Sequence, residues 1–168
     1  MLLENRTEFV ILFAMKVRSA KIQDAKAICS LINYYAEQDK MLFRSMVDIY
    51  ENLRSFTIAE HDGRVVGCCA LQIIWADLAE IKSLTVEEAN AGKGIGRMLL
   101  NSALEQAREL GVQRVFALTL APEYFEKMGF KRIEMDALPM KVWTDCAKCP
   151  KQENCDEVAV IKTVSRES

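Results

Sequence analysis

The 168-residue sequence holds one histidine, seven glycines and no apolar stretch of membrane-spanning length. The run Phe9–Ala14 is far short of the roughly 20 residues a spanning helix needs. Glu4 and Glu8 flank that run, and no basic leader or small-residue cleavage site accompanies it, so no signal peptide is expected. Excess charge of one sign is also missing. A formal net charge of -2 excludes a general nucleic-acid binder, so any anionic ligand needs a local site. Neither a nucleic acid nor a membrane is an expected partner, and a cytoplasmic location is expected. Repeats and low-complexity linkers are absent. With 51% hydrophobic and 27% charged residues, disorder is excluded as well. The length suits one domain over residues 15–168, behind an N-terminal extension of residues 1–14. His61 sits beside a hairpin turn and reads as a plain surface residue.

What is present is an alternation of strand and helix patterns. Lys16–Ser19 reads as a strand, followed by a helix with Ile22, Ala25, Ile28, Cys29 and Ile32 on one face. After a loop over Gln38–Arg44, Ser45 caps a second helix, with Asp48 completing a capping box and Val47, Ile49, Tyr50 and Leu53 as its apolar positions. Phe56–His61 and Arg64–Ile74 read as strands joined at Asp62-Gly63, a hairpin signal. Leu78–Val86 is the next strand. A third helix spans Gly94–Leu110, with Ile95, Leu99, Ala103, Ala107 and Leu110 as its buried stripe and Gly111 just past its end. Arg114–Leu120 (strand), Pro122–Met128 (helix), Phe130–Glu134 and Val158–Thr163 (strands) complete an α/β chain with a mixed sheet.

Three of the seven glycines, Gly92, Gly94 and Gly96, fall in one turn between a strand and a helix. Such a turn presents backbone N–H groups and the positive end of a helix dipole, which together bind anions. Six cysteines are unevenly spread. Cys29, Cys68 and Cys69 lie in apolar patterns and read as core residues. Cys146, Cys149 and Cys155 cluster. Their CxxC resembles a zinc knuckle, but a closed zinc site wants four ligands, and Cys68, Cys69 and His61 lack supporting spacing, so three reduced thiols and no metal are expected. Trp75 and Trp143 read as packing residues or pocket walls.

Together, the strand Glu80–Val86, the turn Gly92–Arg97 and the segment Tyr124-Phe-Glu-Lys-Met-Gly-Phe130 resemble the GNAT acetyltransferases over roughly Lys16 to Lys162. The turn is neither GxGxxG nor GxxxxGK[ST], which separates it from Rossmann and P-loop proteins. Within that family the chain looks like the acetyltransferase domain of N-acetylglutamate synthases, on Met41-Leu-Phe-Arg-Ser45, Glu80-Ile-Lys-Ser-Leu84 and Asp136-Ala-Leu-Pro139. It resembles a short, stand-alone form without the kinase-like domain. Ala91 departs from the arginine or glutamine usual at its position, which shifts diphosphate binding onto backbone N–H groups, Lys93 and Arg97.

The resemblance implies a GNAT fold and acetyl-CoA as co-substrate. The N–H groups of Gly92, Lys93, Gly94, Ile95, Gly96 and Arg97 would cradle its diphosphate. Leu84, Thr85 and Val86 would line its pantetheine arm, with Phe125 nearby. Glu80 is the candidate base, since burial on a strand raises a carboxylate's pKa toward neutrality. Phe125 stands where many GNAT enzymes have an acidic tyrosine. Thr119 is then the candidate acid, with Tyr124 or water as alternatives. Arg44, Ser45 and Lys82 are candidates for gripping a substrate carboxylate, and strand alternation places Glu80, Lys82 and Leu84 on one face. The implied activity is N-acetylation of an amino acid, glutamate first, at the start of arginine synthesis, by an enzyme that is often a homodimer in this family. Glutamine or another small amine is the alternative substrate, and a non-catalytic acyl-CoA-binding module the alternative class.

Overall fold

The computed structural model describes residues 14–139, 142, 146–147, 149–150 and 155–165. Among them are seven strands and four α-helices: β1 (Met15–Ser19), α1 (Ala25–Ala36), α2 (Met46–Glu51), β2 (Phe56–His61), β3 (Arg64–Trp75), β4 (Leu78–Val86), α3 (Ile95–Glu109), β5 (Arg114–Thr119), α4 (Pro122–Lys127), β6 (Lys131–Ile133) and β7 (Val158–Thr163). The strands hydrogen-bond in the order β1-β2-β3-β4-β5-β7-β6, a mixed sheet, as expected. Parallel pairing joins β4 to β5, while the β1–β2, β2–β3, β5–β7 and β6–β7 pairs are antiparallel. The chain forms two compact units, residues 1–70 with 83–103, and residues 71–82 with 104–168.

In the first unit, α1 buries Ala25, Ile28, Cys29 and Ile32 against Ile49 and Leu53 and against Phe56, Ile58, Cys68 and Ala70 of the sheet. Ile22, expected on that face, is 70% exposed, because a 3-10 turn at Ile22–Asp24 precedes the helix and turns it outward. Ser45 caps α2 as expected: its hydroxyl accepts from the Asp48 N–H, and the Asp48 carboxylate accepts from the Ser45 N–H. Only Ile49 and Leu53 of the α2 segment are buried; Val47 and Tyr50, expected to be apolar contacts, are exposed. Asp62 and Gly63 both have positive φ, closing the expected two-residue hairpin. His61 is not the plain surface residue expected. Its Nδ1 is buried without a hydrogen-bond partner, and its Nε2 lies 3.4 Å from Asp62.

One position had no signal in the sequence. A Cβ on Gly67 would lie 3.0 Å from Leu99 Cδ1, 3.0 Å from the Thr85 carbonyl oxygen and 3.4 Å from Ile95 Cγ2. Only glycine lets the first turns of α3 approach β3 this closely.

An ion-pair network ties β1 to the entry of α1. Arg18 forks onto Asp24 at 2.7 and 3.0 Å and reaches Glu60 at 2.6 Å, and the Lys21 N–H also donates to Asp24. The Arg18 and Asp24 side chains are 17% and 6% exposed. Asp24→Ala removes two charge-assisted hydrogen bonds from Arg18 and leaves it paired with Glu60 alone, so it should destabilise by about 1.5–3 kcal/mol at neutral pH. The Arg18 hydrogen bond, chiefly, holds the Asp24 carboxyl below its ordinary 3.8. A depressed native pKa means that this stabilisation is complete above the ordinary value and is lost as pH falls through the native one. Denaturant melts should therefore show the wild-type advantage over Asp24→Ala shrinking below pH 3.8. An advantage constant across that range would rule out ionised Asp24 as its source.

In the second unit, Phe116 of β5 sits at the centre of a cluster with Ile74, Leu78, Leu138, Val142 and Ala159. The β4–β5 ladder runs from Leu78 opposite Arg114 to Ile81 opposite Ala117 and sets Glu80 opposite Phe116. Helix α3 buries Leu104 and Ala107 here and Ile95, Leu99 and Ala103 in the first unit. Leu110, expected on that stripe, is 66% exposed because the helix ends at Glu109. Trp75 is 65% exposed and so does not pack; Trp143 lies outside the described residues.

Candidate functional site

Strand β4 carries most of the candidate chemistry. Glu80 is buried at 6% exposure, and its carboxylate lies 3.3 Å from the Lys82 ammonium. Residues i and i+2 of a strand share a face, which is why the pair meets. A buried carboxylate needs a counter-charge, and Lys82 supplies one from the same strand. The expected alternation does not extend to Leu84. Ser83 has a φ of 53°, which breaks the pleat, so the side on which Leu84 emerges no longer follows from counting by twos.

Past that break, the Thr85 hydroxyl turns into the first unit's core, 3.1 Å from the Cys68 thiol. Thr85 can therefore offer a coenzyme arm only its backbone. The Val86 carbonyl already accepts from the Tyr35 hydroxyl, and the Glu87 N–H donates to the Val66 carbonyl at 2.7 Å. Tyr35 is a residue the sequence did not point to, since a tyrosine among apolar helix positions carries no distinctive signal.

The glycine turn follows. Gly92 and Gly94 have φ values of 76° and 79°, a conformation that side chains other than glycine resist, and a Cβ at either would meet nothing within 4 Å. The turn is therefore open to an approaching ligand. The Met98 N–H makes the first helical bond, to the Gly94 carbonyl, so those of Ile95, Gly96 and Arg97 stand ahead of the ladder at the positive end of α3. Arg97 is exposed beside them, and the Lys93 ammonium lies 3.3 Å from the Asn90 side chain. Asn90 bonds Glu87, Glu87 pairs with Arg64, and Glu88 accepts from Tyr34, so side chains hold the whole approach to the turn. A set of aligned N–H donors with a lysine and an arginine fits the diphosphate of coenzyme A.

Arg44 precedes the α2 cap. Asn33 of α1 holds its backbone from both sides, accepting from the Arg44 N–H at 2.9 Å and donating to the Arg44 carbonyl at 2.9 Å. Asn33 is another residue missed from sequence, although a polar side chain four residues after buried Cys29 was a readable hint. Ser45 is committed to its cap, so its hydroxyl already has a structural bond.

In the second unit, the Thr119 hydroxyl accepts from the Ala121 N–H at 2.9 Å, holding the turn into α4. Phe125 is buried, with its ring edge-on to Tyr124 and Phe130 at 5.7 and 5.2 Å. Both residues thus have structural duties beside any role toward a ligand. Among the described residues, no group of three or more His, Cys, Asp or Glu side chains is arranged to hold a metal ion, and no helix is long and apolar enough to cross a membrane.

Comparison with known proteins gives this arrangement its context. The family model described as "Acetyltransferase (GNAT) family" matches residues 22–130. An uncharacterised N-acetyltransferase of Chlorobaculum tepidum is 45% identical over 88% of this chain and 96% of its own. An amino-acid acetyltransferase of Mycobacterium tuberculosis is 38% identical over 79% of this chain and 77% of its own. Among solved structures, N-acetylglutamate synthase of Neisseria gonorrhoeae, complexed with coenzyme A and N-acetyl-glutamate, superposes with a TM-score of 0.84 at 30% identity. That match covers 90% of this chain but only 35% of the synthase. A Mycobacterium tuberculosis protein in complex with CoA and a second ligand superposes with a TM-score of 0.76 at 32% identity, covering 88% of this chain and 98% of that one. Motif, fold and relatives agree: the chain belongs to the GNAT family of acetyltransferases.

Proposed function

We propose that this acetyltransferase moves the acetyl group of acetyl-CoA to the α-amino group of an amino acid, L-glutamate, as in the first step of arginine synthesis. The observation that carries the reading is the Glu80–Lys82 pair at 3.3 Å. An amino acid presents an ammonium beside a carboxylate, and the pair offers the matching charges in reverse. Acetyl-CoA, when bound, supplies the acyl group as a thioester. The N–H groups of residues 92–97, with Lys93 and Arg97, would hold its diphosphate. Glu80 would take the proton that the substrate ammonium must lose before it can attack. Arg44, its backbone fixed by Asn33, would fork onto a substrate carboxylate. The similarity to a synthase structure that holds N-acetyl-glutamate supports glutamate over other amines. On this reading the enzyme acts in the cytoplasm on a small molecule.

The test follows thiol release from acetyl-CoA with a panel of amino acids. Glutamate should give the highest kcat/KM. Arg44→Ala should raise KM for glutamate by roughly 10- to 100-fold, the worth of a lost charge-assisted hydrogen bond, with a smaller change in kcat. A higher kcat/KM for glutamine would overturn the substrate assignment. Binding of the coenzyme without turnover of any amino acid would overturn the enzymatic reading.

A further inference from the structure

Glu87 and Glu88 bring negative charge to the approach of the glycine turn, the wrong sign for holding a diphosphate. Glu88 is turned to the Tyr34 hydroxyl, from which it accepts at 2.7 Å. Glu87 is held at every polar group. Its N–H donates to the Val66 carbonyl at 2.7 Å, and its carbonyl accepts from the Asn90 N–H at 2.8 Å. One carboxylate oxygen accepts from Arg64 at 2.7 Å and the other from the Asn90 side chain at 2.8 Å. The peptide ahead of Glu87 is pinned too, by the Tyr35 hydroxyl on the Val86 carbonyl.

The Glu87–Asn90 bond fixes which way the Asn90 amide points. An ionised carboxylate only accepts hydrogen bonds, so the amide must turn its Nδ2 to Glu87. Its Oδ1 is left for the Lys93 ammonium, which donates to it at 3.3 Å. The outcome is a chain from Arg64 through Glu87 and Asn90 to Lys93, wholly within the first unit.

The last link of that chain has the right chemistry for an anion site. An amide oxygen is a neutral acceptor, so it holds the ammonium without cancelling its charge. A carboxylate in its place would pair with Lys93 and repel a phosphate. A side chain with no acceptor would leave Lys93 free among its many rotamers, and binding would have to order it. The Arg64–Glu87 pair is 70% exposed on the arginine side and adds little stability, but it keeps the Glu87 charge from competing for the ammonium.

We propose that Asn90 is a positioning residue for the coenzyme, holding the Lys93 ammonium toward the diphosphate through a neutral acceptor. This rests on the reading that Lys93 and the N–H groups of residues 92–97 hold that diphosphate. In this role Asn90 acts through Lys93 alone.

A double-mutant cycle on Asn90 and Lys93 in the full-length enzyme tests the assignment. Its readouts are the KM for acetyl-CoA and the inhibition constant of ADP, which carries a diphosphate but no thioester arm. Asn90→Ala should raise both by roughly 10-fold, the worth of ordering one lysine side chain. The kcat at saturating acetyl-CoA and the KM for the amino-acid acceptor should hardly change. Asn90→Asp should raise both constants further, and added salt should narrow its gap from Asn90→Ala. In a Lys93→Ala background, Asn90→Ala should change neither constant. Thermal melts establish that each variant is folded. If Lys93→Ala weakens ADP and Asn90→Ala does not, the positioning role is overturned while the coenzyme site stands. An Asn90→Ala effect that persists in full without Lys93 marks a residue that only supports the fold, and overturns it equally. Asn90→Asp binding as well as Asn90→Ala would overturn the neutral acceptor. Unchanged constants in Lys93→Ala would overturn the diphosphate role of Lys93 itself, and that of Asn90 with it.

Discussion

Glu80→Gln should lower kcat by roughly 100- to 10,000-fold, the usual worth of a positioned general base. Glutamine keeps the size and shape of the side chain but cannot accept the proton of the substrate ammonium. Coenzyme affinity should hardly move, because the donors proposed for the diphosphate lie in the turn at residues 92–97. The rise of kcat/KM with pH that reports an ionising base should also flatten in the variant. The substitution leaves Lys82 without its carboxylate at 3.3 Å, so a modest loss of stability should accompany the rate effect. Thermal melts at the assay temperature separate the two. A folded variant with near-normal turnover would show that Glu80 serves only as the counter-ion of Lys82.

Phe116→Ala should produce the largest loss of stability of any single substitution considered, about 3–5 kcal/mol. Phe116 is fully buried, and its cluster draws on four separate pieces of chain: Ile74, Leu78, Leu138 with Val142, and Ala159. Truncation removes the ring's burial and leaves a hole that neighbours on a hydrogen-bonded sheet cannot collapse to fill. Because Phe116 is the register partner of Glu80, the hole opens beside the candidate base. Phe116→Leu should recover most of the stability. Denaturant midpoints for the two variants decide the matter. Equal, small losses would mean that this cluster relaxes around the missing ring.

Much of this was legible in the sequence because it depends on local rules. β2, β4 and β7 fall at the expected residues, and the capping box at Ser45 and the hairpin at Asp62-Gly63 form as their residue types dictate. The glycine turn announced itself by composition. The departures come where tertiary structure overrides periodicity. Ile22 belongs by spacing to the face of α1, but a 3-10 turn rotates it outward. Counting by twos along β4 fails at Ser83, whose positive φ no residue-type rule predicts. Gly67 and Tyr35 act through contacts distant in sequence, with Leu99 and Val86, and such contacts have no local signature. The candidate site divides the same way: residues on β4 and the turn were readable, and the side chains that hold them in place were not.

The strand order has a consequence for how the chain comes to be folded. β7 lies between β5 and β6, yet it follows both in sequence, and its partners Phe116 and Lys131 are both opposite Ile161. During synthesis, β5 and β6 therefore emerge with unpaired N–H and C=O groups facing a gap that only a later segment can fill. Closing it pairs strands well separated in sequence, which is slow, and an open edge is a template for pairing with other chains. The second unit thus acquires its middle last, and the interval before β7 arrives is when a nascent chain is most exposed to association with its neighbours.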